Sequence, residues 1–164
     1  MPTKTRLFSL ICCVVLVDQV SKSWAVAALD EGRTIDILGS LRFALGFNSG
    51  IAFGQGQNLG PLVGIVAVAA VALLWRALTK AESSASAIGL ASIIGGAIGN
   101  ISDRVFRGDG WLHGKVVDFI DLQWFPIFNV ADSAITVGAC VMLMSAVYEF
   151  RHQEKISIEN ENDQ

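Results

Sequence analysis

Apolar residues in this chain gather into four long runs, about Leu7 to Leu29, Pro61 to Leu78, Ser86 to Ser102 and Phe125 to Phe150. A helix needs roughly 20 such residues to cross a bilayer, so each run predicts a transmembrane helix. The third run is shorter and rich in glycine. Between the first two, Leu41, Phe43, Leu45 and Phe47 alternate with Arg42, Ala44 and Gly46, the period-two pattern of a half-buried strand. Asn48-Ser49-Gly50 then reads as a turn. The strand has two readings, a loop folded back on the bundle or a lid or cradle for an apolar ligand. Residues 1–153 form a single domain, and the polar, acid-rich segment 154–164 is expected to be disordered.

Composition strengthens the membrane reading. The 164 residues are 52% hydrophobic and 16% charged, with a mean hydropathy of +0.53, whereas a soluble domain carries about 25% charged residues. The formal charge of −3 comes largely from the tail and implies no nucleic-acid partner. Lys4 and Arg6 ahead of the first run resemble a signal peptide, but no small-x-small cleavage site follows, so an uncleaved span is expected. Cys12, Cys13 and Cys140 all lie in apolar runs and read as packed free thiols. Threading four spans puts Lys4, Arg6, Arg76, Lys80, Arg151 and Lys155 on one side and Arg33, Arg42, Arg104, Arg107 and Lys115 on the other. That excess favours both termini in the cytoplasm. The fold class is therefore an all-α membrane protein, a four-transmembrane-helix bundle with a small extracytoplasmic β-like cradle between the first and second spans.

Polar residues inside the apolar runs carry the candidate chemistry, because an ionisable group at membrane depth is costly and marks a function or a paired charge. Asp118 sits among Val116, Val117, Phe119 and Ile120, and Asp132 lies in the opening turns of the fourth run. Two carboxylates meeting at one membrane face can perform acid/base hydrolysis. Asn129, Asp132 and Thr136 fall on one helical stripe. Asp121 is the competing acid in the same connection. Asp18 and Lys22, four apart, can pair on a helix face; a structural ion pair is the first reading and direct catalysis the second. Gly95 and Gly99 form a small-xxx-small packing surface. Beyond them Asn100, Asp103 and Arg104 cluster at a helix end, either snorkelling into headgroups or lining a site. His113 is read as an exposed loop histidine, since one histidine with scattered acids makes no metal spacing.

Five ordered blocks resemble the lipoprotein signal peptidases, or signal peptidase II, a family of bacterial intramembrane aspartic peptidases. They are Asp18-Gln19-Val20-Ser21-Lys22, Asn48-Ser49-Gly50-Ile51-Ala52-Phe53, Gly95 to Asn100 running on to Asp103-Arg104, Val116-Val117-Asp118-Phe119, and Phe128 to Ile135. The resemblance implies that Asp118 and Asp132 are the catalytic pair. It also implies that Asn48, Gly50, Asn100, Arg104 and Asn129 shape the substrate pocket, with Asp18, Lys22 and Asp103 in support. It implies no cofactor and no metal, lipid-modified prolipoproteins as substrates, and a monomer among membrane lipids. The protein would lie in the bacterial cytoplasmic (inner) membrane with its site near the extracytoplasmic face. The stretch Val105 to His113 looks longer than the family carries. A small proton-coupled transporter and a non-catalytic assembly factor are the rival classes. The first would want polar groups through the full membrane thickness, and the second leaves two aspartates beside Asn and Arg unexplained.

Overall fold

A computed structural model describes residues 2–50 and 60–162, with side chains through Gln153; Ile51, Ala52 and Phe53 of the second block lie outside the described residues. Four helices are long and apolar enough to cross a membrane. They are α1 (Lys4–Ala28), α2 (Gly60–Leu78), α3 (Ser84–Phe106) and α4 (Val130–Asn162). Three strands join them, β1 (Thr34–Leu38), β2 (Leu41–Asn48) and β3 (Val116–Asp121). Side-chain oxygens cap two helix starts: Thr3 Oγ1 accepts from Arg6 N at 3.3 Å and Ser83 Oγ from Ser86 N at 3.1 Å. Each satisfies a backbone donor with no partner inside its helix.

Helix α3 is central and packs against the other three. Its glycines make this possible, as their spacing predicts. A side chain on Gly95 would strike Val14 of α1, and one on Gly96 would strike the Ala131 carbonyl of α4. Where α3 meets α4 lower down, Gly89 and Gly138 face each other's carbonyl oxygens. Backbones so close leave no room for a Cβ, the usual basis of helix association in lipid. Away from these seams the helix surfaces are greasy and exposed, and Cys12, Cys13 and Cys140 lie on them. The thiols are free but not packed, because each falls on an outward face.

The alternating segment is β2, running from Leu41 to Asn48. The sheet is antiparallel in the order β1-β2-β3, so it also draws a strand from the connection between α3 and α4. Register pairs Arg42 with Asp121, Gly46 with Asp118 and Asn48 with Val116. Nearly every residue of β3 is buried, which erases the polar alternation that would betray a strand. Trp24 of α1 anchors the sheet, packing edge-on against Phe43 at 5.3 Å and Phe119 at 6.2 Å.

Helix α4 differs from expectation at its start. It starts at Val130 and not near Phe125, because Phe128 is bridged to Ile120, accepting from Ile120 N at 2.8 Å and donating to its carbonyl at 3.1 Å. Asp132 is thus the third helical residue, in the first turn. At the other end the backbone is helical to Asn162. No Gly or Pro interrupts it after Gly138, and Glu, Lys and Gln are good helix formers. The loop after α3 folds back tightly: Gly114 N donates to the Arg104 carbonyl at 2.9 Å, and buried Leu112 sits against Gly64 of α2.

Candidate active site

The residues singled out from the sequence converge where the ends of α1 and α3, the start of α4 and strand β3 meet. Asn129 is the pivot. Its Nδ2 donates to Asp118 Oδ1 at 2.6 Å. Its backbone N donates to Asp132 Oδ2 at 3.2 Å, while Asp132 N returns a bond of 2.9 Å to Asn129 Oδ1. The exchange is a reciprocal helix cap, and it makes one asparagine touch both aspartates.

Asp118 is 4% exposed. Burial pushes its carboxyl up to about 6; the Asp132 charge adds to the rise, while hydrogen bonds from Asn129 and Asn48 and the Lys22 charge oppose it. Its partner across the strands is Gly46, where an added Cβ would only touch Ile127 and Asp118. Asp132 is half-buried and lines an open cavity of about 700 Å³. Asn48 and Thr136 share that lining with Trp124, Phe125 and Phe128.

Behind the pair lies a buried polar cluster. Lys22, Asp18 and Asp103 are all completely buried. Lys22 Nζ is 2.9 Å from both Asp18 Oδ2 and Asp103 Oδ2, so the expected ion pair is present and extends to a third residue. The same ammonium donates to Asn100 Oδ1 at 2.8 Å, and Asn100 Nδ2 donates to Asp132 Oδ1 at 2.9 Å. Asp18 and Asp103 also hold backbone: Ala131 N donates to Asp18 Oδ1 at 2.9 Å and Val117 N to Asp103 Oδ2 at 3.1 Å. Each fixed amide neighbours a candidate aspartate, so the buried carboxylates set where Asp132 and Asp118 stand. Arg104 is 6% exposed and within electrostatic range of Asp103, Asp118 and Asp132. Its Nη1 finds no hydrogen-bond partner among the described residues, and Nη2 approaches Gly50.

Two members of the cluster were not anticipated. Gln19 Nε2 donates to Asp18, to the Gly99 carbonyl and to Asp103, at 3.2, 3.0 and 3.1 Å. Arg107 Nε pairs with Asp103 Oδ1 at 2.9 Å. Their signals were present, an amide inside an apolar run and a cation four residues after an acid. Asp121 stands apart: it pairs with Arg42 at 2.7 Å, which holds its carboxyl below the usual range. Three residues along a strand from Asp118, it points to the opposite face. His113 is exposed, as expected.

Comparison with known proteins identifies the family. The sequence model of a family described as Signal peptidase (SPase) II matches residues 10–148. A lipoprotein signal peptidase of Streptomyces coelicolor is 40% identical over 151 residues, covering 87% of this chain and 74% of the relative. That of Mycobacterium leprae is 37% identical, covering 91% and 75%, and that of Bifidobacterium longum 35%, covering 98% and 90%. A solved structure titled as a bacterial membrane enzyme shares the fold, with a TM-score of 0.71 at 24% identity and 90% of each chain covered. A second with that description, at a TM-score of 0.67, covers 87% of this chain. The transporter and assembly-factor readings fall with these matches. This multi-pass bacterial membrane protein is a peptidase, and it belongs to the signal peptidase II family.

Proposed function

We propose that the protein cleaves prolipoproteins on the amino side of a diacylglyceryl-modified cysteine, with Asp118 and Asp132 as its acid/base pair. The observation that carries this reading is the double contact of Asn129, which ties both carboxyl groups together beside an open apolar cavity. Charge counting supports a shared proton. Lys22, Arg104 and Arg107 face Asp18, Asp103, Asp118 and Asp132, three cations against four carboxylates. One proton on the pair makes this mostly buried set neutral, which a site of reduced dielectric favours.

Burial and the Asp132 charge favour the proton on Asp118. Both oxygens of Asp132 accept N–H donors, the pattern that suits a carboxylate. Asp132 takes a proton from water as its oxygen attacks the scissile carbonyl carbon, and Asp118 gives its proton to the carbonyl oxygen. From the resulting gem-diol, Asp118 recovers a proton as the C–N bond breaks, and Asp132 passes its own to the leaving amine. The pair ends as it began.

The aromatic lining of the cavity suits the diacylglyceryl chains, and Asn48 in the same lining meets peptide groups. Asn100 and Arg104 serve the substrate from beside the aspartates, Arg104 at a carbonyl oxygen. Asp18, Lys22 and Asp103 act in support. The site lies at the extracytoplasmic face with both termini in the cytoplasm, so water reaches it from outside while the signal helix stays in lipid. The protein acts as a monomer in the cytoplasmic membrane. Incubating the purified protein with a precursor bearing the lipidated cysteine, and with the same precursor unmodified, tests the reading. Cleavage of the first alone is expected, and equal cleavage of both would overturn the lipid requirement.

A further inference from the structure

At the end of the bundle opposite the aspartates, a groove of about 480 Å³ runs between the first turns of α1 and the corner joining α2 to α3. Its walls are Leu7, Phe8, Ile11, Trp75 and Leu78, and Lys4 stands at its mouth. It exists because α3 presents only a small side chain there, the buried Ala87. From Lys4 to Ile11 is seven residues, about 10 Å along a helix. The floor therefore reaches into hydrocarbon while the mouth sits at headgroup level.

The segments that build the groove carry mostly positive charge, with Glu149 of α4 held near the start of α3 through Ser145, which bonds Ser83 and Ser86. Lys4 lines the groove, Lys80 lies between its lining residues Thr79 and Ala81, and Arg6 and Arg76 lie in the same segments. All four are exposed, and none joins an ion pair among the described residues. Glu82 is the single acid in the flanking segments 2–10 and 75–87. Trp75 adds an indole of the kind that prefers the headgroup boundary. A groove that is apolar within and cationic at its rim complements one component of a bilayer.

We propose that this groove is a binding site for an anionic phospholipid, with an acyl chain along α1 and the phosphate beside Lys4 and Lys80. A zwitterionic lipid matches the apolar walls but carries a cation that the rim repels. The site is remote from Asp118 and Asp132, so its occupancy is separable from catalysis.

Native mass spectrometry of the full chain in non-ionic detergent, titrated with dioleoyl phosphatidylglycerol or dioleoyl phosphatidylcholine, tests this. The anionic lipid should bind at least about tenfold tighter, since each nearby cation contributes about fivefold. Lys4→Gln with Lys80→Gln, at exposed positions, should abolish that preference, while Arg33→Gln at the other end leaves it intact. Trp75→Ala should weaken retention with the charges unchanged. Equal retention of both lipids, or a preference surviving the double variant, would overturn the site. So would a dimer that excludes lipid, because the groove would then be an interface between copies of this chain.

Discussion

Lys22 Nζ donates to Asn100 Oδ1 at 2.8 Å and thereby decides which way the Asn100 amide faces. An ammonium has only donors, so the amide oxygen must turn toward it and the NH₂ toward Asp132. A completely buried residue with no direct contact to either candidate aspartate in this way sets the donor that one of them sees.

Lys22→Ala removes that control, strands Asp18 as a buried carboxylate without a cation and leaves Asp103 with Arg107 alone. Breaking such a set costs about 3–5 kcal/mol. Folded yield and melting temperature should fall at least as far as turnover per folded molecule. Normal yield with abolished turnover would place Lys22 in the chemistry itself.

The Asp118 carboxyl, pushed up to about 6, predicts a pH limb. Its folded value lies above the unfolded 3.8, so it adds stability at low pH that is lost as pH rises through about 6. The kcat/KM profile of the free enzyme should fall on the alkaline side as the pair loses its proton, and the limb belongs to the pair jointly. Asn129 favours the charged form, so Asn129→Ala should move the limb to higher pH. A shift to lower pH would contradict the assignment of the proton.

Gly50 has φ +108, and a side chain there would come within 3.1 Å of Val63 and 3.2 Å of Arg104 Nη2. Gly50→Val should strain the turn and displace the guanidinium, raising KM on the order of tenfold while the bundle stays folded. An unchanged KM would remove Gly50 and Arg104 from the substrate pocket.

The helices and the polar cluster were legible from sequence because lipid imposes sharp rules on both. Long apolar runs have one use, and Asp18, Lys22, Asn100 and Asp132 stand out inside them. Strand β3 was not legible, since burial of both faces hides its period. The start of α4 was misplaced because Phe125 to Phe128 are as apolar as a helix yet serve to bridge Ile120. The cavity was invisible too: Trp124 and Phe125 look like ordinary interfacial aromatics until the fold sets them beside Asp132.

Topology can be read by labelling single cysteines in a chain whose Cys12, Cys13 and Cys140 are first replaced by alanine. Asp36→Cys and Asp109→Cys, at exposed positions on β1 and after α3, should react with an impermeant reagent in intact cells. Glu82→Cys, exposed between α2 and α3, should react only after lysis. The reverse pattern would invert the bundle and put the site on the cytoplasmic side.

The most direct test is cleavage of a lipid-modified precursor by Asp118→Asn, Asp132→Asn and the double variant. Asn keeps the size of Asp but cannot carry the shared proton. Each single change should lower kcat on the order of 10²–10⁴-fold, with the protein still inserted and still binding precursor. Because the two act as one unit, the double variant should be scarcely slower than either single one. Asp121→Asn, which loses only the partly exposed pair with Arg42, should keep most activity. Substantial turnover in either single variant, or losses that multiply in the double, would contradict a catalytic pair of Asp118 and Asp132.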